Sequence, residues 1–127
     1  MTSFLDELRQ QPSVLRELAA AYSGPLSLRL DAAKATATRV PGPIVLAGMG
    51  SSNWAAEYGV LMLGEHGRQA AVWEAGELLH YGEVAEESLL VLISQSGESA
   101  ETVALARKYQ GRRAMVANKG VSPVSLC

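Results

Sequence analysis

Between positions 94 and 99 the chain reads Ser94-Gln95-Ser96-Gly97-Glu98-Ser99, which gathers three hydroxyls and an amide into one short stretch. Uncharged donors at that density suit a small anion, phosphate above all, because they can surround it as a lone lysine cannot. What positions them is legible on both sides. Leu89-Leu90-Val91-Leu92-Ile93 is short, continuously apolar and partly β-branched, the pattern of a strand buried on both faces. Ala100 to Gln110 consists of helix formers closed by Gly111, a good residue just past a helix end. The hydroxyls therefore fall in a strand-to-helix turn at the carboxyl end of a strand, the edge where open α/β sheets take ligands. Ser96 or Ser99 is placed to cap the helix, whose first N–H groups are unpaired and whose dipole is positive there.

The bulk composition narrows the partners. The 127 residues allow one domain with a sizeable core, and 48% hydrophobic with 19% charged residues is ordinary globular usage. A formal net charge of -2 and the absence of a Lys/Arg run argue against nucleic acid. The single cysteine, Cys127, excludes an internal disulfide, and with only His66 and His80 to help it no metal cluster assembles. The first seven residues are acidic and amphipathic, unlike a signal peptide, and no apolar run reaches the roughly 20 residues of a membrane helix. A cytoplasmic location with no membrane partner is the expectation.

In chain order, residues 1–40 read as N-terminal helices. Phe4 to Arg9 is a short amphipathic piece, Pro12 forces a break, Ser13 to Tyr22 continues, and Leu26 to Thr38 follows Gly24-Pro25. Residues 41–127 then alternate strand and helix. Strands are expected at 44–47, 69–73, 89–93 and 113–117, and helices at 53–63, 76–81 and 100–110. Trp54, Tyr58, Leu61 and Met62 form the apolar stripe of the first of these helices and read as core. Alternation through short loops implies right-handed crossovers and a parallel sheet, hence an α/β three-layer αβα sandwich. Four strands ending soon after Ser122-Pro123 leave an edge that needs cover, which suggests the front piece of a longer chain. A short protein pairing through that edge is the alternative. The apolar N-terminal helices and this edge both point to a homodimer.

Gly50-Ser51-Ser52 after the first strand, Ser94-Gln95-Ser96-Gly97-Glu98-Ser99 after the third and Asn118 to Pro123 after the fourth resemble a sugar isomerase (SIS) domain. More narrowly, the chain is similar to the isomerase half of glutamine–fructose-6-phosphate aminotransferase and its isomerase-only relatives, as are Gln11 to Leu15 and Glu74 to Tyr81. The resemblance implies a flavodoxin-like sheet with a fifth strand and a second such domain beyond this chain. It implies a sugar phosphate as ligand, with phosphate on Ser94, Gln95, Ser96 and Ser99 and sugar against Gly50, Ser51 and Ser52. It also implies hexose-phosphate isomerisation without cofactor or metal, through a base, Lys and His that no position here matches, so the chain alone is expected to turn over nothing. A sugar-phosphate-sensing module is the alternative. The family often carries Thr where Ser51 and Ser99 stand and Ser at Gly76.

Other signals are weaker. Gly48-x-Gly50 with Glu74 hints at a dinucleotide site, but Asn53 occupies the place of the third glycine, and a tight turn letting the helix approach the sheet accounts for the pair. His80 beside Tyr81 titrates in the range for opening a sugar ring, yet it reads better as a surface or interfacial residue, and His66 as solvated. Glu57, Glu74 and Glu98 are the carboxylates nearest the ligand edge, and a first-turn Glu98 is explained by the helix dipole. Lys119 reads as solvated.

Overall fold

The computed structural model describes residues 3–118 and 121–126; Lys119 and Cys127 lie outside them. The chain divides into two compact units, Met1–Thr36 and Ala37–Cys127. The first holds α1 (Phe4–Ser23) and most of α2 (Ser27–Arg39), neither of which has a buried residue. Ser3 starts α1 with a reciprocal cap, its Oγ accepting the Asp6 N–H while the Asp6 carboxylate accepts the Ser3 N–H. Pro12 does not break this helix. The ring removes one backbone bond at a cost of about 3 kcal/mol, and the cap and the helix formers on both sides outweigh it.

The second unit holds a four-stranded parallel sheet in the order β2-β1-β3-β4, with β1 (Ile44–Gly48), β2 (Ala70–Glu74), β3 (Leu89–Ile93) and β4 (Arg112–Val116). Alternation sorts the two central strands cleanly. Val45, Ala47, Leu90 and Leu92 face α4 (Ala75–Tyr81) and α5 (Ala100–Lys108), where Leu78, Val103, Leu105 and Ala106 close one core. Ile44, Leu46 and Leu89 face the other way, toward Ala56 of α3 (Ser51–Glu65), and form the second core. These are the three layers expected from the sequence. Every residue of β1 is buried, as a central parallel strand must be, whereas the outer strands show Trp73 and Val116 to solvent.

One expectation fails in α3. Trp54, Tyr58, Leu61 and Met62 are exposed by 71%, 66%, 67% and 39% and belong to neither core. The sheet takes the small-residue face instead, Ala56 and Gly59 with Val60 and Leu63 beside them; a Cβ on Gly59 would stand 2.8 Å from Leu46 Cδ2, so the helix axis lies too close for a tryptophan.

Candidate functional site

Strand β1 leads to β2 on one side and is flanked by β3 on the other, so the loops leaving β1 and β3 diverge at their carboxyl ends and open a crevice at the switch point. Gly48 pairs with Ile93 in the final register step. Ser52 Cβ and the Ile93 carbonyl oxygen both lie within 3.0 Å of the point that a Gly48 Cβ would occupy, so the two loops start side by side and only glycine fits between them. This is the close approach of helix to sheet that Gly48-x-Gly50 suggested. Ser51 is exposed and Ser52 half-buried in the first turn of α3, where the Ser52 and Asn53 amides donate to the carbonyls of Met49 and Gly50. No side chain caps this helix at Gly50.

Across the crevice, the serine-rich loop is tied down by its own hydroxyls. Ser94 is buried, its amide donates to the Val116 carbonyl, and its Oγ accepts the Gly97 N–H at 3.0 Å. Gly97 holds φ +68, and any Cβ there would collide with Ser122 Oγ at 2.3 Å. The Gln95 carbonyl accepts the Asn118 amide and the Gly97 carbonyl accepts the Val124 amide, so the segment after β4 buttresses the loop from behind. Ser94 is thus a builder of the loop, while the Gln95 side chain is exposed at its crest.

The two remaining hydroxyls differ in what they can still give. Ser96 Oγ accepts the Glu98 amide at 3.1 Å and keeps its own proton to donate. Ser99 occupies the cap position of α5 without a bond to a helix amide, contrary to the capping role expected of it. Its Oγ accepts from Thr102 Oγ1 at 3.1 Å and donates to Glu101 Oε2 at 3.3 Å. The first intrahelical bond runs from Val103 N–H to the Ser99 carbonyl, so the Ala100, Glu101 and Thr102 amides precede the helical ladder and point out of the helix start. Such an arrangement can receive one small oxyanion from the amide side and from Ser96, with a carboxylate standing beside it.

The other singled-out residues sit elsewhere. Glu74 caps α4 by accepting the Glu77 amide, which accounts for it without a ribose. Glu98 precedes α5 rather than opening its first turn. His80 is exposed in the last turn of α4, nearly the whole helix away from the end of β2, and His66 Nδ1 lies 2.8 Å from the Met62 carbonyl. His80, Tyr81 and Lys108 line a hollow of about 350 Å³ that contains no residue of the Gly50–Ser52 or Ser94–Ser99 loops. Among the described residues no three His, Cys, Asp or Glu side chains cluster as metal ligands, and no helix is long and apolar enough to cross a membrane. Sequence reasoning missed Glu101 and Thr102; their spacing from Ser99 was visible, but the direction of the Ser99 hydroxyl was not.

A family model described as SIS domain matches residues 39–126. No curated protein matches the chain. Among solved structures, one from Listeria monocytogenes described as a candidate sugar-phosphate isomerase is 23% identical with a TM-score of 0.76, over 99% of this chain and 71% of that one. The Escherichia coli CFT073 protein c3406, solved in complex with arabinose 5-phosphate, is 22% identical with a TM-score of 0.79, over 98% and 71%. The C-terminal domain of glucosamine-fructose-6-phosphate aminotransferase from Francisella tularensis is 26% identical with a TM-score of 0.53, over 65% and 25%. These matches bear out the resemblance carried by the loops.

Proposed function

The chain belongs to the SIS domain family, and from that premise we propose that it binds a sugar phosphate in the crevice between β1 and β3. The phosphate rests on Ser96, Ser99 and the amides opening α5, with Ser94 and Gln95 shaping the loop, and the sugar lies against Gly50, Ser51 and Ser52. One observation carries the reading: two hydroxyl-bearing loops leave adjacent strands side by side at the switch point, one of them running into a helix start whose amides are unpaired within the helix. A neighbour of the same fold that holds arabinose 5-phosphate supports it.

We place the ligand in the hexose 6-phosphate class, fructose 6-phosphate or glucosamine 6-phosphate, on the resemblance of both loops to the aminotransferase's isomerase half. The whole protein's reaction is then an aldose–ketose proton transfer between adjacent carbons through an enediol, which needs positioned acids and bases and no cofactor. None of the residues placed around the crevice is assigned the base, so this chain is expected to bind without turning over.

Calorimetric titration with fructose 6-phosphate, glucosamine 6-phosphate, arabinose 5-phosphate and inorganic phosphate tests the seat. Removing one hydrogen bond to a charged group costs about 1.5–3 kcal/mol, so Ser96→Ala should weaken every phosphate ester by roughly 10- to 150-fold. Equal affinity for wild type and variant would remove the loop from the reading. Turnover of fructose 6-phosphate by this chain would place the base within it.

A further inference from the structure

Helix α3 is apolar on two faces. Ala56, Val60 and Leu63 serve the core, while Trp54, Tyr58, Leu61 and Met62 face outward, the first three more than 60% exposed. An outward stripe of four large apolar residues on one helix is far from the scattered exposure of an ordinary surface. Ser51, Ala55, Tyr58, Met62 and Glu65 recur at alternating steps of four and three, the spacing of a helix-pairing seam.

We propose that this stripe is covered by α3 of a second copy of the chain, packed antiparallel about a two-fold axis at Tyr58. Size complementarity supports that register. A two-fold at Tyr58 sets Trp54 opposite the partner's Met62 and Leu61 opposite the partner's Ala55, so bulky rings meet a flexible or small side chain each time. Charge complementarity supports the direction. Helix α3 carries Glu57 and Glu65 and no Lys or Arg. Antiparallel pairing brings Glu65 to the partner's Ser51, at the positive end of the partner's helix dipole. Parallel pairing would set Glu57 against the partner's Glu57 and Glu65 against the partner's Glu65.

A single pair of 15-residue helices buries less than the roughly 800 Å² per partner of a standard interface, so the dimer forms and dissociates in the micromolar range. Because Ser51 ends the stripe, the partner's Glu65 edges the Gly50–Ser52 loop, and each crevice is rimmed by both chains. The pairing itself does not depend on the ligand reading.

Sedimentation velocity on the full chain, from low to high micromolar, should show a monomer passing to a dimer. Leu61→Glu should weaken it by roughly tenfold or more by burying a carboxylate, with circular dichroism and melting unchanged because Leu61 is exposed. In a Cys127→Ser background, Tyr58→Cys should oxidise to a covalent dimer. Trp54→Cys should cross-link to Met62→Cys when the two are mixed but not to itself. A chain monomeric throughout overturns the proposal, as does a dimer indifferent to Leu61→Glu. Self-cross-linking of Trp54→Cys overturns the antiparallel register. Cross-linking of Tyr58→Cys within one chain to Leu15→Cys overturns it in favour of α1 as the cover.

Discussion

Ser99 has its proton committed. Its hydroxyl points at the Glu101 carboxylate, 3.3 Å away, and takes a bond from the buried Thr102. A phosphate oxygen arriving at Ser99 would seek the same donor, so Glu101 stands in its place and repels it. Two charges about 4 Å apart interact by about 1 kcal/mol in water, and more near a partly desolvated helix start. Glu101→Gln keeps an acceptor for Ser99 and removes the charge; the affinity for a hexose phosphate should rise by about threefold to tenfold in the titration used for Ser96→Ala. Weaker binding by the variant would mean that the carboxylate instead holds Ser99 in a useful direction. The serine-rich loop was legible in the sequence because residue type and place in the chain suffice to predict donors at a strand end. Its division of labour was not. Ser94 turns inward to the Gly97 amide, Ser96 keeps a proton free and Ser99 turns to Glu101, choices set by backbone angles such as φ +68 at Gly97 that no spacing encodes.

Helix ends and helix faces tell a similar story one level up. Helix formers run to Gln110, yet α5 stops at Lys108 because Tyr109 turns extended and drops its ring into the core. The phenol donates toward the carbonyls of Ala85, Glu86 and Ser88 at 3.1, 3.4 and 2.9 Å, latching the loop before β3. Gly111, which reads as a helix terminator, is needed for room, since a Cβ there would stand 2.2 Å from the Tyr109 hydroxyl. Tyr109→Phe strands these carbonyls and should cost about 1–3 kcal/mol in urea unfolding at neutral pH. Burial first, then the charges of Glu86 and Glu87, push the Tyr109 phenol above its usual value of 10.0. The folded state therefore holds this proton more tightly than the unfolded state does. Its contribution is complete below pH 10 and is lost as pH rises through the folded value, so the gap between wild type and Tyr109→Phe should narrow in alkali; a constant gap would contradict the latch. In α3 the apolar period was read correctly and the face wrongly. Large residues were taken for core, but a helix lying this close over β1 admits only Ala56 and Gly59 at the contact.

At the scale of the whole molecule, parallel order and layering followed from alternation alone, because a strand buried on both faces has no polar residue to spare and β1 and β3 have none. What alternation could not rank is how firmly each part is held. Leu90 and Leu92 are 0% and 1% exposed at the centre of the sheet, whereas α1 and α2 bury nothing among their described residues. Isolated helices of fewer than about 12–15 residues are marginal in water, and longer ones gain most of their stability from packing. Helix α1 has 20 residues and a good cap at Ser3, but it also carries Pro12. Native-state hydrogen exchange should therefore split the chain. Amides of β1 and β3 should open only with global unfolding, and those of α1 should exchange faster by several orders of magnitude, since a helix without tertiary contacts opens at close to zero cost. The split should persist under conditions that favour pairing through α3, because that contact leaves α1 untouched. Protection of Leu15 and Leu18 amides comparable to Leu90 would show the apolar stripe of α1 to be covered. The first unit would then share in the cooperative fold, with a stability drawn from a partner surface and not from its own cap.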